Sequence, residues 1–221
     1  MNCPKTCELF DLTHTAAAKY LEATTYPFEI LKSIKDIILE IGSNLDPEKY
    51  DRIGENVWIA KDAVVAPTAF IGGPCIIGSK TEVRHCAFIR GSALIGEGCV
   101  VGNSTELKNV ILFDGVQVPH YNYVGDSVLG YKAHMGAASI TSNVKSDKSL
   151  VVIKADEEKI ETGLKKVGAF LGDFAEIGCG SVLNPGTVIG RNASVYPLSS
   201  VRGVVFENGI YKRQGEIARR I

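Results

Sequence analysis

Five consecutive residues, Pro119-His120-Tyr121-Asn122-Tyr123, bring an imidazole, an amide and two phenols together. Histidine is the side chain best suited to take or give a proton near neutral pH, which makes His120 a candidate general base. An imidazole among aromatics equally suits a packed or surface histidine. Upstream, Arg90 and Lys108 stand eighteen residues apart, at positions where the surrounding pattern otherwise has Gly or Ala. If one coil of chain takes eighteen residues, the two cations lie on neighbouring coils roughly 4.8 Å apart. They repel there unless an anion such as a phosphate sits between them or they splay into solvent. Residues 136–143, GAASITSN, offer small side chains and accessible backbone N–H groups. Such a stretch suits a thin ligand with a developing oxyanion, or a tight turn alone.

The elements that must hold these residues follow a six-residue step. Ile53, Ile59, Val65, Ile71, Ile77, Val83, Ile89, Ile95, Val101 and Leu107 recur without a slip, and four residues beyond each of the first nine comes a compact side chain, from Val57 to Thr105. Neither a 3.6-residue helix nor a two-residue alternation repeats on six. A hexapeptide β-helix does, with three short strands per coil. The residue after the aliphatic is Gly or Ala in seven of the ten repeats, and Arg84, Arg90 and Lys108 are the exceptions. The step returns at Leu171, Ile177, Leu183, Ile189, Val195 and Val201, and fragments survive between the blocks at Val118–Val124 and Leu129–Met135. The expected organisation is therefore an all-β solenoid: an N-terminal helical cap over 1–50, a first block over 51–143, a hairpin excursion over 144–168, a second block over 169–204, and a C-terminal hairpin with a basic tail over 205–221.

The helical pattern before the solenoid has two parts. Leu9 to Glu22 suits one helix with Thr13 or Thr15 as N-cap, and Pro27 opens another whose apolar residues Phe28, Leu31, Ile34, Ile38 and Ile41 share a face before Gly42. These helices are expected to cover the open first coil. In the excursion, Leu150–Ile153 reads as a strand, the following ADEEK as a turn and Ile160 onward as a return carrying Lys165 and Lys166. Such a hairpin either projects onto a neighbouring subunit, with its lysines available to an acidic cofactor, or is simply a solvated charged loop. Asn208-Gly209 suggests a hairpin turn, and Lys212, Arg213, Arg219 and Arg220 make the end basic.

Composition narrows the partners. With 24 Lys and Arg against 25 Asp and Glu, the near-zero net charge argues against bulk nucleic-acid or membrane binding. No uncharged apolar run is long enough to span a bilayer, and residues 1–4 do not resemble the start of an export signal, so a soluble, cytoplasmic protein is expected. Six scattered cysteines fit buried structural thiols, Cys75 and Cys99 at small-residue positions among them. Cys3 and Cys7 lack a second pair at ligand spacing, so no metal is assigned.

The stretch HYNYVGDSVLG, followed by GAASITSNV, resembles the C-terminal acetyltransferase half of the bacterial bifunctional enzymes that join glucosamine-1-phosphate acetyltransferase to N-acetylglucosamine-1-phosphate uridyltransferase, and also their archaeal sugar-1-phosphate counterparts. The similarity spans roughly Val57 to Gly203. The resemblance implies a left-handed parallel β-helix, a homotrimer with sites between subunits, acetyl-CoA as co-substrate and an amino-sugar 1-phosphate as acceptor. It implies that His120 is the general base, that Asn143 lies near the attacking amine, that Tyr123 contacts the sugar, and that Arg90 and Lys108 grip its phosphate. It places Ala137 at the acetyl group, and Cys179 and Pro197 along the coenzyme A groove. Three positions depart from the family pattern. A pocket asparagine is His134, a tyrosine is Val144, and the family's lysine has only Lys148, one place early. A Gly-rich nucleotide-binding loop is missing before Ile53, so the chain is expected not to form nucleotide sugars alone; whether a separate nucleotidyltransferase is a partner is left open by the sequence.

Other readings remain open on the sequence. The acceptor is another amino sugar, a nucleotide-linked sugar or a small amine; or the chain is a non-catalytic sugar-phosphate-binding or regulatory subunit. A third is a zinc hydratase of the carbonic anhydrase type, for which His85, His120 and His134 would have to converge between subunits.

Overall fold

A computed structural model describes residues 2–156, 158–213 and 216–219. The chain winds about nine turns of a left-handed parallel β-helix, with three strand ladders forming the faces of a prism. The first face stacks Val57–Ala60, Cys75–Ile77, Ala93–Ile95, the C-terminal parts of Glu106–Leu112 and Tyr123–Leu129, then Ala169–Leu171, Thr187–Ile189 and Val204–Val205. The second stacks Val64–Val65, Glu82–Val83, Val100–Asn103, Gln117–His120, His134–Met135, Glu176–Ile177, Ser194–Val195 and Gly209–Arg213. The third stacks Phe70–Ile71, Phe88–Ile89, the N-terminal parts of the two long strands, Ile140–Thr141, Val182–Leu183 and Ser200–Val201. The hexad aliphatics point inward and form the core, from Ile77, Val83 and Ile89 to Leu183, Ile189, Val195 and Val201.

The six-residue step fails midway for a geometric reason. Neighbouring coils are offset by eighteen residues at Ile89↔Leu107 but by seventeen at Leu107↔Val124 and Tyr123↔Ile140. The missing residue belongs to one corner, between the third and first faces, where inward residues step by five from Leu107 to Leu112 and from Val124 to Leu129. There the two long strands run on around the bend, turned by Asn109 (φ 56°) and Asp126 (φ 50°). Asparagine and aspartate tolerate this left-handed conformation better than most residues.

The N-terminal residues do not cap the first coil, as the sequence suggested; they lie lengthwise along the first face. That face carries a second, outward ladder of apolar side chains, Trp58, Ile76, Leu94, Ile111, Val128, Phe170, Val188 and Val204, all buried. Left in water, this stripe would forgo roughly 1.5–3 kcal/mol for each large side chain. The N-terminal segment covers much of it. Leu9 O accepts from Asp173 N at 3.0 Å, His14 O accepts from Asp114 N at 3.0 Å, and Leu31 O accepts from Asn109 Nδ2 at 3.2 Å. Ile34–Ser43 then lays Ile34, Ile37 and Ile38 on the face, and Gly42 meets the Trp58 indole so closely that a Cβ would stand 2.5 Å from the ring.

These anchors also explain why Leu9–Glu22 is not one helix. It is divided into a short helix, Thr6–Leu9, a 3-10 turn, Leu12–His14, and a second short helix, Ala18–Leu21, because its polar groups are committed to successive coils. Asp11, not Thr13, caps the 3-10 turn, accepting from Thr13 N at 3.1 Å, while Thr15 Oγ1 accepts from Ala17 N at 3.2 Å in the turn that leads into Ala18–Leu21. Weak intrinsic propensity gives way to tertiary contact. Pro27 does open a turn, but of 3-10 form over Pro27–Lys32. The first coil itself is topped by Tyr50–Arg52, antiparallel to Val57–Ala60. Ile53, the first hexad aliphatic, is 58% exposed at the edge of a 460 Å³ depression lined by Val57, Ile59, Val65 and Ile71.

The excursion is a hairpin of Val152–Lys154 against Lys159–Glu161, close to its expected position. It folds back onto its own chain instead of projecting. Val151 and Ile153 are fully buried, Gly186 lies against both, and Gly203 lies against the Lys154 carbonyl. Asn208–Gly209 is not a hairpin turn but a solenoid corner, leading from Val204–Val205 on the first face to Gly209–Arg213 on the second; the antiparallel pair is Gly209–Arg213 with Glu216–Arg219. Lys212 and Arg213 each pair with Glu216, whereas Arg220 lies outside the described residues. Burial pushes the Cys75 and Cys99 thiols up to about 12, which leaves them unreactive. Among the described residues no helix is long and apolar enough to cross a membrane.

One glycine tests the coil spacing directly. A Cβ on Gly102 would stand 1.6 Å from the Pro119 carbonyl oxygen, one coil away and beside His120. Gly102→Ala is expected to lower stability by about 1–3 kcal/mol, seen as a fall in the urea midpoint; an unchanged midpoint would mean the coils are not stacked in this register.

Candidate functional site

The predicted residues fall into two groups around the third face. The first is a straight row along the corner where the second face turns into the third. His120 is in register with Asn103 below it. Above it Ala138 N donates to His120 O at 3.0 Å, Gly180 N donates to Ala137 O at 2.8 Å, and Leu198 N donates to Cys179 O at 2.9 Å. His120, Ala137, Cys179 and Pro197 therefore occupy the same corner of four successive coils. Tyr121, Ala138 and Leu198 follow them in the left-handed conformation, and Leu198 is 86% exposed, so the row has an apolar outer rim.

Asn122 holds that corner. Its buried amide nitrogen donates to Gly136 O at 2.9 Å and Ser139 O at 3.1 Å, while its Oδ1 accepts from His120 N at 3.0 Å. With its backbone fixed in this way, the His120 side chain is left exposed, and among the described residues the imidazole makes no hydrogen bond. The sequence put Asn122 in the motif without showing that it replaces the small residue that lines the core at this corner.

The second group lies at the far end of the third face. Arg90 and Lys108 are neighbours on adjacent coils, as their spacing requires, since Arg90 N donates to Leu107 O at 2.9 Å. The two cations are not left to repel each other, however. Arg90 pairs with Glu106 at 2.9 Å, and Lys108 Nζ pairs with Asp126 Oδ1 at 2.9 Å. No bound anion is required to relieve them, contrary to the expectation from their spacing, because two carboxylates already do so. Donor capacity remains, since a guanidinium offers five N–H groups and an ammonium three.

Asp126 is the hub that sequence reasoning missed. It is 3% exposed and accepts from Lys108, from Asn109 Nδ2 at 2.9 Å and from Asn143 Nδ2 at 2.6 Å. Asn143 also donates to the Tyr123 hydroxyl at 3.1 Å. Lys108, Tyr123 and Asn143 thus form one hydrogen-bonded cluster beside Arg90. Burial, reinforced by the Asp126 and Glu106 carboxylates, raises the Tyr123 phenol above its ordinary value. It stays protonated at neutral pH and keeps a hydrogen to donate.

The other predicted residues are elsewhere within the single chain. His134 points out from the second face, its Nδ1 2.8 Å from Glu176 Oε2. Lys148 is exposed in a turn at the base of the excursion. His85 bonds Thr68 Oγ1 at 2.9 Å and is two coils below His120, roughly 10 Å, so the two do not share an ion within one chain. No group of three or more metal-ligating side chains occurs among the described residues.

A family model described as the GMPPB C-terminal domain matches residues 71–162. The bifunctional sugar-1-phosphate nucleotidylyltransferase/acetyltransferase of Sulfurisphaera tokodaii is 33% identical over 87 residues, 39% of this chain and 22% of that protein. The chain thus spans about a fifth of the length of that relative. A second relative, from Escherichia coli, carries the name "Putative uncharacterized acetyltransferase YaiX"; it is 33% identical over 186 residues, 75% of this chain and 78% of that one. Among solved structures, a hexapeptide transferase family protein from Anaplasma phagocytophilum superposes with a TM-score of 0.42 at 14% identity, over 75% of this chain and 80% of that one. The six-residue coils, the HYNYVGD corner and a relative one-third identical along most of both chains agree: the chain belongs to the hexapeptide-repeat acetyltransferase family, to which the acetyltransferase half of the bifunctional sugar-1-phosphate enzymes is related.

Proposed function

We propose that the chain transfers an acetyl group from acetyl-CoA to the amine of an amino-sugar 1-phosphate. The observation that carries this reading is the row His120, Ala137, Cys179 and Pro197 on one corner, flanking a face whose other end holds Arg90, Lys108, Tyr123 and Asn143. One group suits the base and the thioester, the other the anionic sugar. The third face is open, with Phe70 and Phe88 exposed on it, so a second wall is needed. A homotrimer in which a neighbouring prism lies against this face supplies it.

In this mechanism Arg90 and Lys108 turn their remaining donors to the phosphate, while Tyr123 and Asn143 orient the sugar. The neutral amine attacks the thioester carbonyl, and His120 takes the proton the nitrogen loses as the C–N bond forms. The C–S bond then breaks, and the departing sulfur is protonated. Gly136 N and Ala138 N already donate to Ile177 O and His120 O, so the N–H of Ala137 itself would donate to the developing oxyanion.

The assignment is tested by thiol release from acetyl-CoA with glucosamine 1-phosphate, galactosamine 1-phosphate, free glucosamine and a UDP-linked amino sugar. Release with a 1-phosphate supports it. Saturable sugar-phosphate binding without any release would make the chain a binding or regulatory subunit instead.

The phosphate grip has its own test. Arg90 is half exposed and its partner Glu106 reaches solvent, so Arg90→Ala should fold normally. KM for the 1-phosphate should rise about tenfold or more, the worth of a hydrogen bond to a charged group. Free glucosamine should be unaffected. An equal loss with both acceptors would remove Arg90 from the phosphate.

A further inference from the structure

On a different corner from the His120 row, the hairpin and the last coils enclose a cleft of about 570 Å³. Lys145, Lys154, Lys159 and Arg202 line it together with Asn184, and Asp156 is its acidic side chain among the described residues. Asn184 and Arg202 come five residues after Cys179 and Pro197, roughly 15 Å along an extended chain. The cleft is therefore separate from the row of predicted cofactor residues.

Its charge arrangement is costly as it stands. Lys154 and Lys159 are direct cross-strand partners, so their Cβ atoms are about 5 Å apart on one face of the hairpin, and like charges directly opposite destabilise a strand pair. Arg202 adds a third cation from the coil. None of these three has an ion-pair partner among the described residues, whereas Lys145 is 3.6 Å from Asp147. The hairpin cannot swing away to relieve the repulsion. Val151 and Ile153 are fully buried beneath it, and Gly203 meets the Lys154 carbonyl so closely that a Cβ would stand 2.6 Å from the oxygen.

We propose that this cleft binds the phosphates of a nucleotide, held between Lys154, Lys159 and Arg202. Phosphate oxygens would separate the like charges and accept from all three donors. Acetyl-CoA itself carries phosphates, so the coenzyme arm of this inference rests on the proposed reaction, whereas a separate nucleotide would stand apart from it. The nucleotide has two sources, the adenosine phosphate end of coenzyme A or a separate nucleotide.

Calorimetric titration of the whole chain with adenosine 3′,5′-bisphosphate, UDP and inorganic pyrophosphate tests it, for the wild type, Lys154→Ala/Lys159→Ala and Arg202→Ala. At least one nucleotide should bind, and each variant should weaken it about tenfold or more. Binding of the adenosine probe alone identifies the coenzyme A end; binding of UDP identifies a separate nucleotide. The double variant should melt no lower than the wild type, because it removes a repulsion. Absence of nucleotide binding, binding of pyrophosphate alone, or equal affinity in wild type and variants overturns the proposal. The titration reads the same whether or not thiol release is observed, so the two proposals fail independently.

Discussion

His120→Ala is expected to lower turnover about 10²- to 10⁴-fold, the usual worth of a general base. Stability should not change, because the side chain is exposed and makes no hydrogen bond among the described residues; exposed substitutions of this kind usually stay within about 0.5 kcal/mol. The backbone that presents His120 is held by Asn122, whose amide is part of the corner and is untouched by the change. The comparison therefore separates chemistry from folding. Steady-state thiol release on the purified variant checks it, with a thermal melt as control. Loss of rate with an unchanged melt supports the base assignment, and an unchanged rate removes it.

The largest stability effect is expected at Phe113. Its ring is fully buried and sits 5.0 Å from that of Phe10, joining the lengthwise N-terminal segment to the prism. Phe113→Ala should cost about 3–5 kcal/mol, against a total of about 5–15 kcal/mol for a typical protein. Urea denaturation measures this through the midpoint at constant slope. The Phe10→Ala change should lose a comparable amount if the segment is bound where the structure has it. If Phe10→Ala were neutral, the N-terminal residues would not be covering the first face.

The inward hexads were legible because each coil corner brings an aliphatic back to the same core position, and Ile77 to Leu107 obey that rule strictly. The five-residue corner steps at Leu107–Leu112 and Val124–Leu129 hid the middle of the solenoid, since a six-residue ruler reads them as disorder in the pattern. With them went Asp126. Its partners Lys108, Asn109 and Asn143 are seventeen or eighteen residues away along the chain, and only the shortened register brings all four together.

The course of the N-terminal segment was hidden for another reason. The outward ladder Ile76, Leu94, Ile111, Val128 and Phe170 lies next to inward aliphatics, so it read as part of one apolar strand. Two-sided burial is the signal that something must cover that face, and the segment before Ile53 is the covering. Arg90 and Lys108 were placed correctly by spacing, but their charge balance was not, because Glu106 and Asp126 reach them through the fold. His134 illustrates the opposite limit: its alignment with a pocket residue was readable, yet the strand alternation turns it outward onto the second face, toward Glu176.

The most direct measurement is mass-resolved product formation from acetyl-CoA and glucosamine 1-phosphate by the purified chain, alongside its oligomeric mass in the same buffer. The account predicts an N-acetylated sugar phosphate in step with released thiol, from a particle three chains in mass. A trimer that binds both substrates yet leaves the amine unmodified would contradict it.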